Sequence, residues 1–240
     1  MLLLNSAEFI HAQIKQSNWQ FGLNAGIMVY QGDLTPYAIG SYRTMKPAFS
    51  VYICRVLSAS FTSKTSIGFG ELHGNEGVYQ NPDWRMERNF KFTSPVKEIT
   101  EVFVWNISKN TRNGTVGRFS PYLFVGAGIS LLNISRDTSQ MNAVIFGKGS
   151  DVQMGLTKDF NRATPKAMLI IPIGIGLEYS ASPHISITAE TNFRYIFTDY
   201  LDGFSRSANP TKRDYYHTHT IGLIYKLGEK DRLGCPVIRF

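Results

Sequence analysis

The chain has 240 residues and a formal net charge of +7, and 13% of its residues are aromatic. Its mean hydropathy is −0.14, and no apolar run reaches the roughly 18 residues that a membrane-spanning helix requires, which excludes a helical membrane protein. The basic residues lie mostly in predicted loops and in the C-terminal segment, without the aromatic signature of RNA-binding folds, so we expect no nucleic acid partner.

The first twelve residues are similar to the remainder of a secretory signal peptide. They begin with a short apolar stretch and end at Ala12, a small residue of the kind that precedes a signal peptidase site. They lack a basic region and a full apolar region, so an ordinary terminal segment is the alternative. We expect three parts in the chain: a signal remnant at 1–12, an exported domain at 13–227 and a C-terminal tail at 228–240.

Eight segments alternate apolar and polar residues with a period of two, which is the pattern of a β-strand with one apolar face. In chain order they lie at residues 19–30, 48–57, 65–72, 97–107, 121–132, 171–179, 185–197 and 215–227. The seventh segment is long enough to cross a bilayer at a tilt, which takes roughly 9–11 residues. In the fourth segment each face carries a glutamate among apolar residues, Glu98 on one and Glu101 on the other, and this irregularity predicts a β-bulge.

The lengths of the connections indicate how the strands are arranged. The links after the second, fourth and sixth strands are short, and the links after the odd-numbered strands are long. Transmembrane barrels have an even number of strands, short periplasmic turns and long outer loops. The sequence therefore predicts an all-β fold, an eight-stranded antiparallel up-and-down barrel in a bacterial outer membrane. Both termini are expected in the periplasm.

The interior of such a barrel is expected to be filled. Eight strands leave room only for side chains, and Glu178, Glu190 and Arg194 fall on the polar, inward face of their strands. We interpret these three residues as a polar plug that satisfies its own charges. Tyr122 and Phe124 are available to fill the remaining space. A conducting or catalytic role for the charged residues is the alternative.

A histidine pair near the predicted outer rim is the strongest enzymatic signal. His217 and His219 lie on one strand face, and Asp199, Asp202 and Asp214 are close to them in sequence. A carboxylate that orients a histidine is a common arrangement in general acid–base catalysis. No nucleophile motif accompanies the pair, and two histidines without a fixed carboxylate spacing do not define a metal site. We therefore expect no catalytic residue, no metal and no cofactor. A rim-active barrel enzyme that acts on lipid or peptide stays as the alternative, together with a small passive channel or adhesion barrel.

The tail at 228–240 continues beyond the last strand and contains one of the two cysteines of the chain. Cys235 stands beside Pro236, whose fixed φ stiffens the segment. By strand parity the tail lies on the periplasmic side, and that compartment is oxidising, so disulfides form there. Cys235 is a candidate for an intermolecular disulfide. A bond to Cys54 is the rival, and a passive tail is a third interpretation.

Several segments together resemble one known family. They are residues 30–34, 120–128 and 197–202 and the C-terminal end, which contains Gly234, Cys235, Pro236 and Phe240. With them the chain resembles the PorG-type outer-membrane barrel component of the Bacteroidetes type IX secretion system. It departs from the family in residues 237–240, which are longer than the usual finish after the Cys-Pro pair.

The resemblance implies a function without enzymatic chemistry. It implies a barrel that anchors a periplasmic protein-secretion ring, built by a lipoprotein and its partner, to the outer membrane. It also implies that Gly234, Cys235, Pro236 and Phe240 bind that partner, and that Cys235 is the residue bonded to the lipoprotein. Outer-membrane lipid would be the other partner.

Overall fold

The computed structural model describes residues 18–108, 118–209 and 213–227. In these ranges the chain forms nine strands and three short helices. The strands are β1 (Trp19–Gln31), β2 (Lys46–Val56), β3 (Phe61–Asn75), β4 (Lys91–Asn106), β5 (Phe119–Leu132), β6 (Ser135–Asp137), β7 (Ala167–Ser180), β8 (Ile185–Ile196) and β9 (Tyr215–Lys226). The helices are α1 (Trp84–Arg88), α2 (Ala143–Phe146) and α3 (Asp151–Phe160), and 3₁₀ turns lie at Tyr42–Thr44 and Glu76–Val78.

The eight long strands close into a barrel in which every pair is antiparallel. The order around the wall is β3-β2-β1-β9-β8-β7-β5-β4, and a pairing between β3 and β4 completes the ring. The three-residue β6 pairs only with the beginning of β4, outside the closed wall. Closure leaves no free edge strand in the wall, which is the requirement for a sheet in a membrane. The predicted fold is confirmed.

The strand pair β3–β4 corrects two details of the sequence prediction. Both strands are longer than predicted, because the pairing continues to Asn75 and Lys91, where the outward residues are polar and the apolar alternation has ended. The predicted bulge is wrong, because the register runs unbroken from Asn75–Lys91 to Phe61–Trp105. Simple alternation places Glu98 inside the barrel and Glu101 on its outer surface.

The outer surface of the wall carries a broad apolar band. Aromatic side chains at one end of the strands are about half exposed: Trp19 at 46%, Phe61 at 50%, Trp105 at 47%, Phe119 at 60% and Tyr225 at 50%. An exposed apolar surface that encircles a protein, bordered by an aromatic girdle, is the outer face of a transmembrane barrel. The protein is an outer-membrane β-barrel. Among the described residues, no helix is both long and apolar enough to span a bilayer.

The two ends of the barrel differ. Residues 57–60 and 181–184 form short turns at the girdle end, and the link at 107–118 is only partly within the described residues. The short turns of transmembrane barrels are periplasmic, so we name this the periplasmic end and the opposite one the outer end. At the outer end the long connections pack together into a cap. Its buried apolar residues include Leu34, Phe90, Leu156, Leu201 and Phe204, and they are continuous with the upper interior of the barrel.

Candidate functional site

The middle of the barrel interior is occupied by an ion pair between β8 and β3. Glu190 accepts from Lys64 at 2.6 Å, from the Tyr122 hydroxyl at 2.7 Å and from the Asn24 amide at 3.2 Å. The Lys64 ammonium also lies 4.2 Å from the ring centroid of Tyr52. Both charged side chains are buried, so their mutual attraction and these further donors replace the water that each of them loses.

A second ion pair lies nearer the periplasmic end. Lys226, at the end of β9, is 2.8 Å from Glu178 on β7. The Ser186 hydroxyl donates to the same carboxylate at 2.9 Å. Glu178 is buried. The two side chains therefore occupy the periplasmic end of the interior, and their opposite charges neutralise each other.

A third ion pair lies above the middle layer, toward the outer end. Arg194 donates to Glu98 at 2.9 Å, and the Ser130 hydroxyl donates to the other oxygen of Glu98 at 3.3 Å. The Tyr216 hydroxyl donates to Glu98 as well, and Arg194 donates to Thr218. Arg194 is thus anchored to Glu98, a residue that the sequence analysis placed in no site.

The structure places Glu178, Glu190 and Arg194 in the interior but in three separate pairs, and it does not bring them together. Their partners are Lys226, Lys64 and Glu98. Glu98 was missed although its position in the alternating pattern places it on the inward face, and Lys64 was missed because it precedes the predicted third strand at 65–72 and belongs to the strand only in the structure. Three acids and three bases give the interior a net charge of zero within these pairs.

The space between the pairs is small. One cavity of about 40 Å³ lies between Lys64, Glu98 and Arg194, and another of about 30 Å³ lies beside Cys54 and Glu178. Each has room for a few water molecules at most. Glycine on the inward face admits the large rings, since a Cβ on Gly176 would lie 2.2 Å from the ring of Tyr122. The described interior thus forms no continuous pore.

The cap at the outer end is fastened by a group of buried carboxylates. The Tyr30 hydroxyl donates to Asp202 at 2.7 Å and lies 3.0 Å from Asp214, while the backbone N–H of Phe204 donates to Asp202 at 2.8 Å. Burial, with the charges of nearby carboxylates, raises the pKa of Asp202 to about 8 and that of Asp214 well above its usual range. Tyr30, Asp202 and Asp214 form what we call the Tyr30 latch, a structural group that retains a proton.

Two further contacts hold the cap loops together. The buried carboxylate of Asp159, in α3, accepts from the backbone N–H groups of Arg206 and Ser207 at 3.0 and 2.9 Å. The buried Glu76 is paired with Arg85 and Arg88 at 2.8 and 2.5 Å. The same two arginines reach other connections, since Arg88 donates to the backbone carbonyl of Ser207 at 3.3 Å and Arg85 donates to that of Asp33 at 2.9 Å. From their sequence, these segments were expected to be loops.

The histidine–carboxylate arrangement of the enzymatic alternative is not assembled. His217 and His219 point to the outer surface of the wall, where Tyr42 stacks on His219 with its hydroxyl 2.9 Å from Nε2. The Thr191 hydroxyl lies 3.0 Å from Nδ1 of the same ring. Asp202 and Asp214 are buried in the cap instead. Within the described ranges no carboxylate forms a hydrogen bond with either histidine, and no group of three metal-binding side chains is present.

The cysteines and the tail are only partly within the described residues. Cys54 faces the interior and is 4% exposed. Gly234, Cys235, Pro236 and Phe240 lie outside the described residues, and so does the predicted signal remnant at 1–12.

Comparison with known proteins gives a family and a set of similar folds. The family model described as "Domain of unknown function (DUF6089)" matches residues 1–233. No curated protein has a significantly similar sequence. Among solved structures, Neisserial surface protein A is similar with a TM-score of 0.46 and 15% identity, over 88% of this chain and 97% of that one.

Two other solved structures show the same degree of similarity. A major outer membrane protein from Thermus thermophilus has a TM-score of 0.47 and 11% identity, over 86% of this chain and 98% of that one. The outer membrane protein OprG from Pseudomonas aeruginosa has a TM-score of 0.44 and 10% identity, over 89% and 98%.

Proposed function

The chain belongs to the family described as domain of unknown function DUF6089, and we propose that it is a non-enzymatic anchor for a periplasmic protein-secretion ring. In this proposal the barrel holds the ring of a type IX secretion system at the outer membrane, through its periplasmic face and its C-terminal tail. The observation that carries the proposal is the filled interior.

The filled interior supports a mechanical role over a transport role. Three buried ion pairs occupy successive levels of the lumen, and the apolar core of the cap lies above them. Removing one partner of a buried pair costs about 3–5 kcal/mol, so opening this lumen would be strongly unfavourable. Such a barrel is a rigid body fixed in the membrane, and other proteins can bind its periplasmic end.

The position at which β9 ends supports the periplasmic attachment. Strand β9 ends at Lys226 on the periplasmic end, so the segment that follows starts on that side. The resemblance to the PorG-type family assigns Cys235 to a bond with a lipoprotein, and the periplasm is a compartment where disulfides form. Because Cys54 is buried inside the barrel, it is poorly placed for a bond to an external partner, which favours Cys235.

The surroundings of the histidines do not favour the enzymatic alternative. The hydroxyls of Tyr42 and Thr191 lie within hydrogen-bond distance of the two ring nitrogens of His219. Among the described residues, no carboxylate orients His217 or His219 as a catalytic base. His217 and His219 instead form the surface against which the ring of Tyr42 packs.

The experiment is a non-reducing gel of whole outer membranes from cells that carry the wild-type chain, Cys235→Ser or Cys54→Ser. We expect a heavier band that contains this chain and a periplasmic lipoprotein, identified by mass spectrometry. The band should disappear with Cys235→Ser and remain with Cys54→Ser. If the wild type and both variants give only the monomer band, the cysteine anchor is wrong.

A second measurement tests the anchor without relying on the disulfide. Deletion of residues 228–240 should release the lipoprotein from the purified outer-membrane fraction while the barrel itself still folds. His217→Ala and His219→Ala should leave the lipoprotein bound. Retention of the lipoprotein by the chain without its tail would contradict the proposed attachment.

A further inference from the structure

One carboxyl group of the barrel faces the membrane instead of the interior. Glu101 lies on the outward face of β4 and is exposed. Its neighbours on the same face of the strand, Ile99 and Phe103, are 59% and 58% exposed and belong to the apolar band. In the adjacent strands it lies opposite Thr65 and Ala127. Glu101 is therefore an acidic residue within a surface that contacts lipid.

Its depth places it near the middle of the band. Along β4, Trp105 of the aromatic girdle is four residues away toward the periplasmic end, and Lys97 is four residues away toward the outer end. With a rise of about 3.3 Å per residue and a tilt of about 40°, each lies roughly 10 Å from Glu101 along the membrane normal. The apolar band of such barrels is about 25 Å tall. Amines of lipid headgroups are thus too far from Glu101 to neutralise it.

The wall holds this carboxyl group in a fixed orientation. The Ser63 hydroxyl donates to one oxygen of Glu101 and the Thr65 hydroxyl donates to the other, both from β3. Each carboxyl oxygen retains a further lone pair after these bonds. Neutral hydroxyls orient the group without supplying a counter-charge. The carboxyl group of Glu101 can therefore accept a hydrogen bond from a molecule that contacts the outer surface of the wall.

Glu101 differs from the interior acids in having no cation. Glu98, Glu178 and Glu190 are each paired with an arginine or a lysine. Within the described part of the chain, no lysine, arginine or histidine forms an ion pair with Glu101. Ionisable residues at membrane depth are costly and pair with another group. The described part of the chain supplies no counter-charge to Glu101, so a cation on another molecule is the partner that this surface fits.

We propose that Glu101, held by Ser63 and Thr65, is a lateral docking site for a second membrane-spanning protein that presents a lysine or arginine to it within the bilayer. Charge complementarity selects a cationic partner. A second copy of this chain fits poorly, because a two-fold axis through the patch would place two Glu101 side chains opposite each other. The small side chain of Ala127 beside Glu101 allows a partner to approach the wall closely. The proposal concerns the lateral surface and does not depend on the periplasmic anchor.

The first test measures whether Glu101 is covered in the native membrane. Dicyclohexylcarbodiimide is an apolar reagent that modifies carboxyl groups inside membranes, and labelling of individual peptides is measured by mass spectrometry. We expect Glu101 to be labelled in the purified barrel in detergent and several-fold less in native outer membranes. Glu101→Gln gives the background. Equal labelling in both preparations contradicts the proposal, and so does a lack of labelling in the purified barrel.

The second test identifies what covers the site. A photo-crosslinking residue replaces Ala127, and its matched control replaces Ala189, an outward-facing alanine on β8. We expect position 127 to give one discrete protein adduct, lost with Glu101→Gln, in which the crosslinked peptide of the other protein lies next to a lysine or arginine in a membrane segment. Position 189 should react with lipid. Lipid adducts alone at position 127, or an adduct of two copies of this chain, would overturn the assignment.

The folding of the variant is checked separately. Glu101→Gln keeps acceptor and donor atoms for Ser63 and Thr65, so the barrel should retain its heat-dependent migration on a gel. If Glu101→Gln preserved the adduct at position 127, the carboxyl group would not be the docking determinant.

Discussion

The hydroxyl of Tyr30 donates to a carboxylate oxygen of Asp202 at 2.7 Å, across 172 residues of sequence. Tyr30 lies near the outer end of β1, and Asp202 lies in the connection between β8 and β9. The two segments that carry these residues, 30–34 and 197–202, are among those on which the family resemblance rests. Their meeting shows that both segments fasten the cap to the barrel. Their acidic residues therefore have a structural explanation that needs no reaction.

The first prediction concerns the pH dependence of this latch. Burial is the largest cause that raises the pKa of Asp202 to about 8, whereas an unfolded chain has an aspartate pKa of about 3.9. Between these values the closed cap binds a proton that the open cap does not. Its stability must then fall as the pH rises through this window, with the full loss above about 8. Hydrogen exchange of residues 199–209, corrected for the intrinsic pH effect, should show decreasing protection.

The control for this prediction is Asp202→Asn, which carries no charge at any pH. The pH dependence should become smaller in this variant, with the contribution of Asp214 remaining because burial raises the pKa of that carboxyl too, and the cap should be more protected than wild type at high pH. Protection that rises with pH in the wild-type protein would contradict the assigned sign.

The second prediction concerns the central ion pair. Lys64→Met leaves Glu190 buried without its cation, so we expect the free energy of unfolding to fall by about 3–5 kcal/mol. Lys64→Met combined with Glu190→Gln should recover most of this loss, because no unpaired charge remains. Urea unfolding in detergent or vesicles measures both. The matched control is Lys97→Met on the outward face, which should change stability by less than about 1 kcal/mol.

Most of the barrel could be predicted from the sequence because the residues of each strand carry their own alternating pattern. A period of two identifies the inward and outward faces, and the connection lengths identify the ends. The same pattern also places Glu98 on the inward face, and Lys64 once the third strand is extended by one residue. Their pairing with Arg194 and Glu190 could not be read from the pattern, because β8 is adjacent to neither β4 nor β3 and the pairs form across the closed lumen. The apparent irregularity of β4 misled the prediction of a bulge, because an outward glutamate is rare in a lipid-facing wall.

The cap could not be predicted for a physical reason. Its contacts join residues far apart in the chain, as in the stacking of Phe90 on Phe204 at 4.7 Å and the hydrogen bond from Arg88 to the backbone carbonyl of Ser207. These segments have no repeating apolar period, since irregular loops bury side chains one at a time. Polar composition therefore indicated loops and gave no sign of the core beneath them.

The third prediction is that the barrel does not conduct at the level of a porin. A solute would have to pass the three ion-pair levels and then the apolar core of the cap. The double variant Glu98→Ala with Arg194→Ala removes one level only and should also stay closed. Planar-bilayer recordings check both proteins. A large and steady open conductance in the wild type would favour a channel over an anchor.

The last prediction separates the histidines from catalysis. Tyr42 stacks on His219 at a centroid distance of 5.7 Å and shares a hydrogen bond with it, so His219 fastens residues 41–44 to the outer wall. His219→Ala should weaken this contact by about 1 kcal/mol and increase proteolysis in the loop at 32–45. Tyr42→Phe keeps the stacking and removes the hydroxyl, so it should produce a smaller increase.

Neither variant should reduce secretion or release a bound lipoprotein, because the contact lies on the outer half of the wall. Loss of secretion with intact folding in His219→Ala, but not in Tyr42→Phe, would instead assign the imidazole a direct role.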